Sequence, residues 1–316
     1  MSFHVNAVRA LDRPMPASPF DLNARAAFVR WAAWKRRQGL ADRENPTVFV
    51  ADPAAPSEAE IETIRERCLR GNMAWFRTPE PVDKTEIRAL GHALGLDRLD
   101  HHLCADGDGI TSLRVMGGKR RSEYIPYSDK PLSWHTDGYY NDLRRQIGGV
   151  ILYCVQDAAE GGGNALLDPE WAYLLMRETE PDWVRALMTP DALTIPANVE
   201  DGVTIRPART GPVFRVAGDG TLRMRYTARK RNVLWKDDAP TREAAAWLAQ
   251  WMAGDDAPVV RRALRPGEGV ISNNVLHNRS GFRDAPGAQR LVYRARYYDR
   301  VAGTGLSDLP FNLAPS

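Results

Sequence analysis

The sequence predicts a mainly β protein with helices (α+β), whose core is an open-mouthed barrel or jelly roll. From about Gly109 onward, short β-branched and aromatic runs are separated by Gly, Pro, Asn and Asp, as in a double-sheet core. The first third of the chain instead shows amphipathic helical patterns, and no internal repeat or low-complexity segment is present. With 316 residues, the chain is long enough to bury a full hydrophobic core.

The N-terminal region, residues 1–108, is predicted to be a helical and mixed lead-in that packs on the core of residues 109–316 as one integrated domain. Helical spacing of apolar residues, with a serine cap before the second helix, defines three helices there. They cover about 22–38, 57–69 and 84–94, and NMAWFRT (72–78) between the last two is predicted to be a strand.

In the core, strands and two inserted helices are predicted from the same kinds of pattern. The predicted strands are ITSLRVM (110–116), IGGVILYCV (147–155), PVFRV (212–216), TLRMRY (221–226), PVVRRAL (258–264), GVISNN (269–274) and RLVYRARYYD (290–299). The helices are predicted at about 169–179 and 241–252. The mouth of such a barrel is a standard place for a small-molecule site.

Composition excludes several classes of protein. The mean hydropathy is −0.44, no apolar run approaches the ~20 residues that span a bilayer, and the N-terminus lacks the apolar segment of a secretory signal. We therefore expect a cytoplasmic protein without a membrane partner. The net charge of +3 is too small to indicate nucleic acid. A small-molecule substrate is the expected partner, and homo-oligomerisation is left open.

The three cysteines are scattered along the chain. Cys68, Cys104 and Cys154 form neither a disulfide framework nor the paired spacing of a zinc site. They are expected to be buried thiols.

The stretch SWHTDGYYND (133–142) places His135 two residues before Asp137. In an extended segment such side chains point to the same face, so an imidazole and a carboxylate could hold one metal ion, although a hydrogen-bonded turn is the alternative. The third ligand is predicted to be His277, which follows GVISNN in NNVLHNRSGF. The neighbours His101 and His102 are weaker candidates because adjacent residues on a strand face opposite ways.

Two histidines and one carboxylate with three open coordination positions make the facial triad of a non-haem iron(II) oxygenase. Thirteen residues after His277, Arg290 stands on a predicted strand with Arg294 on the same face. An arginine there could bind the far carboxylate of 2-oxoglutarate as a bidentate cation. Taken singly, a surface ion pair is the favoured interpretation of Arg290, and the combination of all four residues reverses that preference.

Five segments, in this order, resemble the iron(II)/2-oxoglutarate-dependent dioxygenases typified by taurine dioxygenase and, in the C-terminal half, by γ-butyrobetaine hydroxylase. They are WHTD (134–137), AEGGGNALLD (159–168), TLRMRYTARKRN (221–232), VLHNRSGF (275–282) and QRLVYRARYYD (289–299). The ordered set is far more specific than any single motif.

This resemblance implies a double-stranded β-helix (jelly-roll) core in which His135, Asp137 and His277 hold iron(II). It implies that Arg290 binds the distal carboxylate of 2-oxoglutarate and that Arg294 binds an anionic end of the substrate. Asn164 stands where the family usually has Thr or Ser. Its amide could donate the same hydrogen bond to 2-oxoglutarate, or could place that cosubstrate differently.

The implied activity is hydroxylation of a small polar, anionic metabolite, with consumption of dioxygen and release of succinate and carbon dioxide. Tyr139 and Tyr140 are expected to touch the substrate, although aromatic residues at strand spacing are often simply core. The resemblance places the arginines at 223, 225, 229 and 231 in a pocket-lining segment that could recognise a carboxylate, sulfonate or phosphonate; on charge alone they would be a solvated hairpin end. Two alternatives remain: a biosynthetic oxygenase of a larger natural-product intermediate, and a non-catalytic metal-binding jelly roll.

Overall fold

The computed structural model describes residues 18–38, 47–101, 105–116, 125–229 and 233–310. The helices of this part of the chain are α1 (Arg25–Arg37), α2 (Glu58–Gly71), α3 (Lys84–Ala93), α4 (Pro169–Thr179), α5 (Pro181–Leu187) and α6 (Ala239–Ala253). The first ten strands are β1 (Val48–Phe49), β2 (Met73–Arg77), β3 (Thr111–Leu113), β4 (Leu132–His135), β5 (Gly149–Gln156), β6 (Glu160–Gly161), β7 (Asn164–Leu167), β8 (Leu193–Ile195), β9 (Asn198–Glu200) and β10 (Val203–Arg206). The others are β11 (Arg209–Gly211), β12 (Phe214–Val216), β13 (Leu222–Met224), β14 (Leu234–Trp235), β15 (Val260–Arg262), β16 (Glu268–Ser272), β17 (Leu276–Arg279), β18 (Phe282–Arg283) and β19 (Leu291–Tyr297).

The predicted helices are all present, with ends that follow from capping residues. Ser57 and Glu60 form a reciprocal capping box at the start of α2, and Asp83 caps α3 in the same way. Asp168 caps α4, whose first turn contains Pro169. Helix α5 was not predicted; it begins at Pro181, and Glu180 is its N-cap.

Two sheets form the centre of the molecule. The larger has six strands in the order β1-β2-β16-β5-β19-β3, of which β1 and β2 are parallel and the rest antiparallel. The smaller has four antiparallel strands in the order β15-β7-β17-β4. Since β1 and β2 come from the N-terminal region, that region contributes directly to the larger sheet.

Successive side chains of a strand point to opposite faces of its sheet. The buried apolar side chains accordingly form three clusters. Val270, Leu152 and Val292 of the larger sheet share one cluster with Leu166 and Val260 of the smaller sheet, so the two sheets face each other across it. The opposite face of the larger sheet packs against α2 and α3. The opposite face of the smaller sheet packs against α1, α4, α5 and α6. The fold is therefore mixed α and β, with two facing sheets between helical layers.

Every predicted strand is found, although most are shorter than predicted. Three of the four strands in the smaller sheet were not predicted: β4, β7 and β17. Each carries polar side chains, among them His135, Asn164 and His277, so none forms the apolar or alternating run by which a strand is recognised. Cys68 and Cys154 are buried free thiols, as predicted, and Cys104 lies outside the described residues. No helix of the described chain is long and apolar enough to cross a membrane.

A buried ionic cluster ties α1 to α4. The Lys35 ammonium lies 2.5 Å from Asp168 Oδ2 and 2.6 Å from Glu170 Oε2, with all three side chains nearly inaccessible to solvent. It also donates a hydrogen bond to the backbone carbonyl of Arg70. Although burial opposes the charge, the two carboxylates raise the pKa of Lys35 above its usual value. Lys35 therefore stays charged at neutral pH.

We predict that Lys35→Met lowers the free energy of unfolding by about 3–5 kcal/mol, because it leaves two carboxylates buried without a counter-charge. Urea unfolding followed by tryptophan fluorescence measures this change. Arg36→Met is the matched control, since Arg36 pairs with Glu178 on the exposed surface, and it should cost less than about 1 kcal/mol. Equal decreases in the free energy of unfolding of the two variants would contradict a stabilising role for the buried Lys35 cluster.

Candidate active site

His135 and His277 lie directly opposite each other on the neighbouring strands β4 and β17. Their ring centroids are 4.2 Å apart, and Asp137 follows in the turn after β4. One ligand atom from each of the three side chains lies within 4.8 Å of the others, and all three residues are buried. The structure thus brings together the three ligands predicted from sequence. His101, the weaker candidate, does not join this group, and His102 lies outside the described residues.

Hydrogen bonds fix the orientation of both imidazole rings. His135 Nδ1 lies 2.9 Å from the carbonyl oxygen of Ser133, and His277 Nδ1 lies 2.9 Å from that of Val275. A carbonyl can only accept, so each Nδ1 carries a proton, and Nε2 is the ring nitrogen left to bind a metal. Burial, together with the neighbouring His277, lowers the pKa of His135 to about 3. His135 is therefore a neutral ring suited to metal ligation.

The two carboxylate oxygens of Asp137 have different surroundings. Oδ1 is 3.1 Å from Arg294 Nη1 and 3.6 Å from Arg296 Nη1, whereas Oδ2 is buried without any hydrogen-bond partner. Although burial opposes ionisation, the two arginines hold the pKa of Asp137 well below its usual range. An ionised, unpartnered oxygen beside the Nε2 atoms of two imidazole rings is a donor set that fits a divalent iron ion.

The backbone of Asp137 is held by Asn274, which the sequence analysis did not identify. The Asn274 side chain accepts a hydrogen bond from Asp137 N at 2.8 Å and donates to the carbonyl oxygens of Asp137 and Ile147. Gly138 next in the chain has φ +65°, and a Cβ there would lie 2.5 Å from Ile147 Cγ1. The turn after the histidine and aspartate therefore requires glycine at 138.

Arg290 is a buried cation immediately before β19, 5% exposed. Its guanidinium carbon lies 5.0 Å from the centroid of the Phe282 ring. A Cβ at Gly162, where φ is +71°, would lie 3.2 Å from Arg290 Nε, so the glycine turn allows close approach. Burial lowers the pKa of Arg290. Within the described ranges, no acidic side chain forms an ion pair with its guanidinium.

Arg279 is a second buried arginine at this end of the site, also missed from sequence. Its guanidinium carbon lies 4.8 Å from the Phe282 centroid, and its Nη2 donates to the carbonyl oxygens of Ser128 and Lys130 at 2.8 and 2.5 Å. Burial and the nearby charge of Arg290 lower the pKa of Arg279 to about 10. Asn164 is its cross-strand partner, so the Asn164 amide lies on the sheet face that carries His277.

The predicted substrate residues line the other side of the triad. The Tyr139 ring meets the His135 ring edge-on at 6.3 Å and the Tyr140 ring at 5.1 Å. The Tyr140 hydroxyl accepts a hydrogen bond from Arg296 at 2.9 Å, and Arg296 forms a buried ion pair with Asp100. Arg294 contacts the metal-ligand candidate Asp137 itself.

Comparison with known proteins shows similarity to dioxygenases. Residues 36–296 match the family model "Taurine catabolism dioxygenase TauD, TfdA family". A uridine-5'-phosphate dioxygenase of an Amycolatopsis species is 33% identical over 168 residues, 52% of this chain and 60% of the relative. A Streptomyces protein of the same name is 30% identical over 199 residues, 60% of this chain and 69% of the relative. The chain thus matches less than two thirds of the length of the Amycolatopsis relative.

The solved structure of the non-heme iron oxygenase OrfP, in complex with Fe, succinate and (3R,4R)-dihydroxy-L-Arg, has a similar fold. The TM-score is 0.57 at 15% identity, over 91% of this chain and 93% of OrfP.

We predict that the purified protein binds about one iron(II) per chain and that Asp137→Ala or His277→Ala abolishes this binding, because two remaining ligands chelate poorly. Anaerobic titration calorimetry measures both affinity and stoichiometry. His92→Ala is the control, since His92 is an exposed histidine that pairs with Asp97, and it should bind iron as the wild type does. Iron binding retained in the Asp137 variant would refute the ligand assignment.

Proposed function

Because the chain belongs to the TauD, TfdA family of dioxygenases, as its motifs predicted, we propose that it is an iron(II)- and 2-oxoglutarate-dependent dioxygenase that hydroxylates a small anionic metabolite. One observation carries this proposal most strongly. Asp137 presents a buried oxygen without a hydrogen-bond partner beside His135 and His277, and Arg290 is a buried cation without an acidic partner in the described chain. A purely structural ion cluster would leave neither the oxygen nor the cation without a partner.

The two facing sheets support the finer description of the core as a double-stranded β-helix, or jelly roll, over 109–316. The region 1–108 would belong to the same domain, because its strands β1 and β2 extend the larger sheet. The site would then lie at the open end between the sheets, with β17 and β4 on one side and β19 on the other.

Different residues would bind iron(II) and 2-oxoglutarate. Nε2 of His135, Nε2 of His277 and Oδ2 of Asp137 would hold iron(II), which, when bound, supplies the activation of dioxygen coupled to decarboxylation of 2-oxoglutarate. Arg290 would grip the distal carboxylate of 2-oxoglutarate, with Phe282 shielding the contact from water. The Asn164 amide, on the same sheet face as His277, would donate to that cosubstrate.

The relatives support a phosphate-bearing substrate. Both are named as dioxygenases of uridine 5'-phosphate, an anionic metabolite of the kind predicted from sequence. Tyr139, Tyr140 and Arg294 remain the proposed substrate contacts, with Arg294 shared between substrate and Asp137. Cytoplasmic location, homo-oligomerisation and the absence of nucleic-acid and membrane partners stay predictions.

We predict that Arg290→Leu raises the KM for 2-oxoglutarate at least tenfold, because a charge-assisted bidentate pair in a dry site contributes on the order of a few kcal/mol. Iron binding should be unchanged, which separates this role from metal ligation. Arg283→Leu is the matched control, since Arg283 pairs with Glu160 at the exposed surface. An unaltered KM in the Arg290 variant would assign the cosubstrate to another cation, such as Arg279.

The activity itself is tested by succinate release with iron(II), 2-oxoglutarate and dioxygen present. We expect uridine 5'-monophosphate to stimulate succinate release at least tenfold over the reaction without substrate, and uncharged uridine to have little effect, because a buried cationic site favours an anion. Taurine and γ-butyrobetaine complete the panel. The proposal of an anionic substrate fails if uridine is the best of the four, and the proposed activity fails if wild-type protein binds neither iron nor 2-oxoglutarate.

A further inference from the structure

The arginines of the segment 221–232 lie in different environments. Arg223 lines a separate outer cavity of about 330 Å³ and lies 3.6 Å from Asp219. Arg225 is buried, and its guanidinium donates to five backbone carbonyl oxygens, which leaves it a structural role. Arg231 lies outside the described residues. Arg229 is therefore the described arginine of this segment that can serve the site.

Arg229 reaches the metal-ligand candidates through Tyr139. Burial raises the pKa of Tyr139, and the nearby side chains of Arg229 and Thr227 oppose that rise. The Tyr139 ring packs edge-on against His135. Thr227 is itself buried and is the backbone bridge partner of His135. Arg229 and His135 are thus both neighbours of Tyr139. In the part of the chain that the structure describes, no acidic side chain forms an ion pair with Arg229.

The remaining charges of the site are balanced in pairs. Arg294 faces Asp137, and Arg296 faces Asp100. Under the proposed function, iron(II) and dianionic 2-oxoglutarate also cancel in formal charge. The excess positive charge of the site then comes from Arg279 and Arg290, which are buried beside Phe282, and from Arg229, which is half-buried near Tyr139. Such an excess of positive charge favours a dianionic ligand over a monoanionic one.

Resting on the proposed function, we infer that Arg229, together with Tyr139, binds the phosphate of a phosphate monoester substrate, and that the site selects a dianion over a monoanion. The second ionisation of a phosphate monoester lies near pH 6, so the group is largely dianionic at pH 8. A guanidinium binds two of its oxygens at once. A sulfate ester has nearly the same shape but a single negative charge. Comparing the two esters therefore distinguishes the effect of charge on affinity from the effect of shape.

The test measures binding of three probes to wild type, Arg229→Gln and Arg229→Lys by anaerobic calorimetry at pH 8. The probes are inorganic phosphate, uridine 5'-monophosphate and uridine 5'-sulfate. We expect the sulfate ester to bind wild type at least tenfold more weakly than the phosphate ester. Arg229→Gln should weaken binding of both phosphate probes at least tenfold, and Arg229→Lys should recover part of the loss. Arg185→Gln, at an exposed arginine of α5, should bind all three as wild type does.

The inference is overturned if the two esters bind equally, if Arg229→Gln binds phosphate as tightly as wild type, or if wild type binds neither phosphate probe. The same titrations in iron-free protein, with separate measurement of iron and 2-oxoglutarate binding, distinguish the two proposals. Loss of iron or 2-oxoglutarate binding in the wild type counts against the proposed function. Phosphate binding that does not depend on Arg229 counts against this inference alone.

Discussion

The rest of the site depends on the antiparallel pairing of β17 with β4, which places His277 opposite His135. Side chains alternate between faces, so a slip of one residue would turn His277 away from the cavity. The strand β17 also pairs with β7, which sets Arg279 opposite Asn164. Just before β17, Asn274 holds the backbone of Asp137. One short strand and the turn leading into it therefore position all three ligand candidates.

The charged residues around this strand pair leave one oxygen of Asp137, Oδ2, without a hydrogen-bond partner. Burying Asp137 is costly, and two arginines on β19 offset that cost, but both lie on the side of Oδ1. Arg296 is in turn paired with Asp100, which extends the network away from the cavity. The apolar cluster between the sheets excludes water and strengthens these interactions. The result is a carboxylate that stays ionised while its inner oxygen, Oδ2, remains unpartnered.

What the sequence could predict was set by short-range spacing. His135 and Asp137 are two residues apart, and Arg290 and Arg294 were predicted on one strand face, so local spacing and family resemblance were sufficient to propose them. Asn274 and Arg296 could not be found in this way, because their partners Asp137 and Asp100 lie 137 and 196 residues away. The strands β4, β7 and β17 were missed for a related reason: some of their buried positions carry the polar residues His135, Asn164 and His277 in place of apolar ones.

Each histidine of the site is oriented by a carbonyl two residues earlier on its own strand. The direction of each ring is thus set within a three-residue stretch of backbone and does not require any neighbouring side chain. Substitutions of other side chains around the site can therefore alter its shape and charge while the orientation of both imidazole rings is kept. Under the proposed function, substitutions at Tyr139, Tyr140 or Arg229 would therefore change substrate preference while the orientation of both histidines is kept.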